Sequence, residues 1–159
     1  MKLSIVYHSE SGNTEKAAKI MANTIHQMDG IDVKAMNINN IDENFINESA
    51  AVIFGSPTYC GTCSWQMKKF LDTSRTINLN EKLGGVFITE NFIGGGADFA
   101  EITLMGCLLV RGMMVYSGGV KQVPTHFGAV LIKDGDEYQI SKAKIFAQKF
   151  AKRSLELFN

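Results

Sequence analysis

The apolar residues of this chain fall into short runs, and between most of them lie segments whose apolar residues recur at three- and four-residue spacing. Leu3 to Tyr7 is the first run and predicts a buried strand, followed by the polar stretch Ser9 to Thr14. From Glu15 the spacing turns helical: Ala18, Met21, Ala22, Ile25 and Met28 share one face, and Gly30 ends the helix. Val33 to Ile38 alternates as a second strand, and Ala50 to Phe54 is a third, wholly apolar one. A loop from Gly55 to Cys63 precedes a helix over about Ser64 to Ser74. Gly85 to Thr89 predicts a fourth strand, Glu90 to Gly96 a loop, and Phe99 to Val110 a helix that stops at Gly112. Met113 to Ser117 starts a fifth strand, Gly118 to Phe127 is irregular, and Ala129 to Ile132 resumes the extended run. Asp134-Gly135 marks a turn before a last amphipathic helix, Ser141 to Phe158.

Strands and helices in alternation imply an α/β fold, a doubly wound parallel sheet with helices on both faces. Ligands of such sheets bind beyond the carboxyl ends of the strands, so the loops after strands one, three and four are where function is expected. At 159 residues, with 45% hydrophobic and 20% charged positions and no linker-like stretch, residues 1–159 are expected to form one domain. Lys plus Arg equals Asp plus Glu, 16 against 16, which gives no reason to expect nucleic acid or an anionic membrane as partner. Neither a signal-peptide layout nor a run of membrane-spanning length is present in the sequence. Three cysteines without an export signal suggest reduced thiols and a cytoplasmic setting.

The first of the three loops, Ser9-Glu10-Ser11-Gly12-Asn13-Thr14, places hydroxyls, an amide and a glycine between a strand end and a helix start. Free backbone N–H groups there carry partial positive charge and suit a phosphate without any Lys or Arg. The plainer reading is that Asn13 or Thr14 caps the helix. Neither G-x-x-x-x-G-K nor G-x-G-x-x-G occurs, which disfavours a nucleoside triphosphate or dinucleotide loop. In the second loop, Gly55 to Cys63, Tyr59 can stack on a flat ring or pack on its own turn. The third ends in Gly94-Gly95-Gly96, which allows close backbone approach to a ligand or a mobile lid.

Together these stretches resemble a known family. Ser9 to Thr14 is similar to the S/T-x-S/T-G-N/H-T phosphate loop of flavodoxins and flavodoxin-like oxidoreductases. Gly55 to Thr62, with Gln66, Met67, Phe70, Leu71 and Asp72 after it, resembles the G-T-P-T-x-x-G-N…Q-M…F-L-D stretch of NAD(P)H:quinone oxidoreductases of the tryptophan-repressor-binding type. Lys82 to Gly96 resembles that group's K-L…F…G-G-G segment, and Gly112 to Val115 its fifth-strand start. The resemblance implies a flavodoxin-like five-stranded sheet of order 2-1-3-4-5 and the cofactor FMN, with NAD(P)H as reductant. It places Ser9, Ser11, Gly12, Asn13 and Thr14, with Glu10 in the same loop, at the FMN phosphate. Pro57, Thr58, Tyr59, Cys60 and Gly61 would line one side of the isoalloxazine, and Thr89, Glu90, Asn91, Phe92, Gly94 and Gly95 the other. The chain departs from the reductases in lacking their long insert after strand two and in having one more residue in the third loop. It departs from flavodoxins proper in its neutral charge and in one extra residue between Thr58 and Gly61.

Cys60-Gly61-Thr62-Cys63 is a C-x-x-C that reads as a dithiol or as two small loop residues, and nothing completes a zinc set. His126 contacts the flavin or a quinone, or is a solvated loop residue; His8 reads as a strand-end residue and Met21, Met67, Met105, Met113 and Met114 as packing. No catalytic residue is assigned, because the flavin would carry the chemistry. Neutral charge and the reductase-like second loop favour an oxidoreductase passing hydride from NAD(P)H through FMN to a quinone or similar small acceptor. Such an enzyme would pass from oxidised to fully reduced FMN in one step. The short chain favours the alternative, a flavodoxin carrying single electrons to a redox protein partner. A non-redox phosphate binder fits least, since no acidic cluster follows strand one. The sequence leaves a homodimer or homotetramer open, and the missing insert after strand two counts against the tetramer of the reductases.

Overall fold

The computed structural model describes residues 1–122 and 124–158. Its strands are β1 (Lys2–Tyr7), β2 (Asp32–Asn37), β3 (Ala51–Tyr59), β4 (Thr62–Cys63), β5 (Leu83–Glu90), β6 (Met114–Val115) and β7 (Ala129–Ile132). Its helices are α1 (Asn13–Ile25), α2 (Glu43–Glu48), α3 (Trp65–Thr73), α4 (Ala97–Val110) and α5 (Glu137–Phe158). The parallel order is β2-β1-β3-β5-β6, the expected 2-1-3-4-5 arrangement. Its fifth position is shared: β6 pairs with Leu83 and Gly84 at the start of β5, and β7 pairs with Phe87 to Glu90 at its end. The irregular stretch after β6 therefore leaves the sheet and returns to it.

Alternation along the buried strands divides the core. Leu3, Ile5, Ile53 and Phe87 face one way, onto Ala18, Met21 and Ile25 of α1 and Phe146 and Phe150 of α5. Val6, Val52, Phe54, Val86 and Ile88 face the other, onto Met67 and Leu71 of α3 and Ala100, Leu104 and Leu108 of α4. Gly85 makes the first layer possible, because a Cβ there would stand 2.6 Å from the Phe150 ring.

Several expected bounds shift. The third strand continues through the segment read as a loop, to Tyr59, because Gly55 to Pro57 keep their parallel partners Phe87 to Thr89. α1 starts at Asn13 and ends at Ile25, short of Met28. α5 starts four residues early, at Glu137. The short α2 was not foreseen; its sequence signal is Asp42, whose side chain accepts a hydrogen bond from the Phe45 N–H at 3.0 Å. Met114, expected in the packing, is half exposed.

Candidate functional site

The three carboxyl-end loops meet in one cavity of about 260 Å³, lined by Glu10, Ser11, Asn13, Thr14, Pro57, Thr58, Tyr59, Thr89, Glu90 and Asn91. All ten belong to the set chosen from sequence. Ser9, Gly12, Cys60, Gly61, Phe92, Gly94 and Gly95 stand outside its lining and serve the loops themselves.

In the first loop, Gly12 takes the cap position of α1 with φ of 93°, and no side chain caps the helix. This corrects the reading of Asn13 or Thr14 as the cap. The Gly12 N–H donates to Ser9 Oγ at 3.2 Å, so Ser9 shapes the turn. The first intrahelical bond runs from the Lys16 N–H to the Gly12 carbonyl, which leaves the earlier N–H groups of the first turn for an anion. The Thr14 and Thr89 hydroxyls are bonded at 2.8 Å, joining the helix start to the end of β5. Only one hydrogen is spent in that pair, so one hydroxyl still has a proton to donate.

Glu10 faces away from the helix start. Gln66 of α3 donates to its Oε1 at 2.6 Å, and the His8 Nε2 lies 3.6 Å from the same oxygen. The carboxylate thereby ties the first loop to α3. His8 is buried and meets Tyr59 edge-on at 6.4 Å between ring centres. Burial pushes its pKa down, against the pull of Glu10, and the imidazole is neutral near pH 7. Burial and then Glu10 push the Tyr59 phenol up. His8 is the contributor the sequence did not reveal, since a histidine at a strand end has no distinctive pattern.

The second loop is a hairpin. Tyr59 pairs with Thr62, and the two residues between them, Cys60 and Gly61, have φ of 49° and 79°, the pattern of a type I′ turn. Cys60 pays for its left-handed backbone with roughly 1–2 kcal/mol of strain. Its thiol is exposed at the tip, whereas Cys63 is buried in the core beside α3 and α4, and both are free. The hairpin leans on the third loop: a Cβ on Gly96 would lie 2.7 Å from the Cα of Gly61. The third loop closes on itself, the Gly95 N–H donating to the Phe92 carbonyl at 3.1 Å and the Ala97 N–H to Glu90 Oε2 at 3.2 Å.

A second cavity of about 310 Å³ adjoins Glu90 and holds Glu101 and His126 in its lining. Glu101 is 2% exposed, with Oε1 unpartnered among the described residues. Burial first, then Asp98 and Glu90, push its carboxyl up to about 8 despite Lys142. An acid in phase with Ala97, Leu104 and Leu108 was visible in the sequence, as the one charge on a core-facing stripe.

The site fits FMN. Its uncapped helix start suits the phosphate, and the buried, unpartnered Thr58 Oγ1 offers a free polar contact in the cavity. Replacing Thr14 by Val is expected to weaken FMN about 10- to 150-fold, one charge-assisted hydrogen bond of roughly 1.5–3 kcal/mol, and to leave riboflavin nearly unchanged. Titrating the apo-protein with both flavins checks this. Equal losses would mean that Thr14 shapes the loop without meeting phosphate.

Among the described residues no helix is long and apolar enough to cross a membrane. The chain is 42% identical to a flavodoxin of Clostridium saccharobutylicum over 99% of its own length and all of that protein's. It is 24% identical to an NAD(P)H dehydrogenase (quinone) of Archaeoglobus fulgidus over 94% of this chain and 95% of that one. An archaeal flavodoxin structure superposes with a TM-score of 0.78 at 23% identity, covering 98% of this chain and 99% of its own. A flavodoxin, WrbA-like protein from Agrobacterium tumefaciens superposes at 0.74 and 23% identity, with 98% of each chain covered. At these identities the two structures speak for the fold. A flavodoxin family profile matches residues 5–94, more than half of the chain, and with the Clostridium relative it establishes that this protein belongs to the flavodoxin family, whose cofactor is FMN.

Proposed function

We propose that this protein is a cytoplasmic one-electron carrier that shuttles between redox protein partners, rather than an enzyme that reduces quinones with NAD(P)H. The observation that carries this reading is the rim of the site. Trp65, the first residue of α3, and Phe92 and Ile93 of the third loop are 64, 65 and 86% exposed. Large exposed apolar side chains next in sequence to Gln66, which holds Glu10, and to Asn91 of the cavity lining suit a second protein surface. The likeness to a curated flavodoxin at 42% identity supports the same reading, against 24% for the quinone dehydrogenase. In this reading the uncapped start of α1 holds the FMN phosphate and the Thr58 hydroxyl meets the cofactor deeper in the cavity. The Tyr59–Thr62 turn borders the ring. When bound, FMN supplies the redox chemistry, and the chain sets its exposure and potential.

The turn itself suits a carrier. With glycine at its second central position, the sequence also fits a type II turn, in which Cys60 returns to negative φ and loses its strain. A change of charge on a cofactor beside this turn can then shift it between the two arrangements.

Mixing the FMN-loaded protein with excess NADH or NADPH and benzoquinone tests the proposal. The expected result is that the yellow colour persists over minutes without quinone turnover, while dithionite bleaches it at once. Rapid bleaching by NAD(P)H followed by repeated quinone reduction would restore the enzyme reading.

A further inference from the structure

Helix α4 is built inside out. Its one mid-helix charge, Glu101, is buried, and its solvent-facing arc carries Phe99, Ile102, Thr103, Gly106, Leu109 and Val110, bordered by the exposed Asp98 in the first turn. These residues follow a three- and four-residue spacing, so they form one continuous stripe. Phe99 is 71% exposed and Val110 88%. A helix apolar all round normally has both faces covered. Here only one is.

We propose that a second copy of this chain covers the stripe, α4 against α4 across a two-fold axis near Gly106. Three observations select that occupant. The stripe has no charge of its own, and Arg111 at its end is occupied by the carbonyls of Leu71, Ser74 and Ile77. It therefore offers nothing by which a charged partner would be recognised, whereas an apolar stripe complements itself.

The second observation is position. The 14-residue helix spans about 21 Å, and Leu109 and Val110 lie at the end away from the FMN cavity. A redox partner has to approach the other end, next to Phe92 and Trp65.

The third is size and shape. The exposed apolar side chains together present roughly 500 Å² per copy, near the top of the range for an ordinary monomer's largest patch. Two copies would bury about 1,000 Å² from the stripe alone, the lower bound for a specific interface. Gly106 has open space beyond it, which lets two backbones come close. Beside it a groove of about 380 Å³ runs between α3 and α4, rimmed by the Lys68–Asp72 ion pair and open to a side chain such as Val110 of the second copy. That pairing gives the apolar centre a polar rim.

The argument from position rests on the electron-carrier reading, but the readout is mass and not redox behaviour, so the two can fail separately. Light scattering of the FMN-loaded protein, from micromolar to submillimolar concentration, is expected to give twice the chain mass. Leu109→Glu and Val110→Lys, both at exposed positions, should each return it to the monomer with unchanged far-UV circular dichroism. Gly106→Cys should cross-link to a covalent dimer on mild oxidation, with peptide mapping placing the new disulfide between the two copies of position 106. A monomer throughout the concentration range overturns the proposal, as does a dimer that both charged variants leave intact. A dimer that shows no cross-link at position 106 overturns the two-fold placement.

Discussion

Replacing Gly96 by Ala is expected to weaken FMN binding by more than about a hundredfold, whereas Gly94→Ala should cost only about tenfold. Both glycines hold positive φ, 101° and 79°, so both substitutions carry backbone strain of roughly 1–2 kcal/mol, or about a factor of ten. Only Gly96 has a neighbour. Its new Cβ would stand 2.7 Å from the Cα of Gly61, a backbone atom that cannot rotate away, while nothing lies within 4 Å of a Cβ on Gly94. The third loop would have to draw back from the hairpin that carries Thr58 and Tyr59, separating two walls of the cavity. Fluorescence titration of the apo-variants with FMN measures both constants. Equal losses would show that loop strain alone matters and that contact between the loops does not shape the site.

The other large effect lies in Glu101 and follows the sign of its shift. The carboxyl has an ordinary value of 4.5 and a folded value of about 8, so folding disfavours the charged form. Below pH 4.5 both states are protonated and nothing is lost. Between pH 4.5 and 8 each unit costs about 1.4 kcal/mol of stability, and above pH 8 the loss is constant. The groups that face this carboxyl are Asp98 on its own helix, Glu90 on β5 and Lys142 on α5. Glu101→Gln removes the titration, so the variant should gain roughly 3–5 kcal/mol on wild type between pH 5 and pH 9. At about 2–4 °C per kcal/mol for a chain of this size, that is a relative rise in Tm of 6 °C or more. Thermal melts at the two pH values decide it. An equal effect of the substitution at pH 5 and 9 would mean that the carboxyl is solvated in the folded protein.

The doubly wound parallel sheet is legible because its central strands are buried on both faces and read as short, largely apolar runs, whereas the strand order follows from the family resemblance. α2 is not, because a single capped turn of six residues has no periodicity to detect. The continuation of β3 to Tyr59 was hidden by Gly55, Ser56 and Pro57. These look like a loop, but here Gly55 makes room for the Phe87 ring, 2.0 Å from where its Cβ would be. For the site, all ten residues that line the cavity stand in three loops that glycine and hydroxyl patterns already marked. The tie between Glu10 and Gln66 joins residues 56 positions apart and leaves no such pattern. In the sequence the choice between enzyme and carrier rests on net charge, the second loop and the length of the chain. The exposure of Trp65, Phe92 and Ile93, which bears on it most, is a property of the folded surface.

A stepwise reduction of the FMN-loaded protein, followed by its absorption spectrum at controlled potential, tests the electron-carrier proposal most directly. A carrier that hands over one electron at a time, with a turn that fits two backbone arrangements beside the ring, is expected to show two separate one-electron steps. A single two-electron step with no resolved midpoint between, as an enzyme built for hydride transfer would give, would contradict the account.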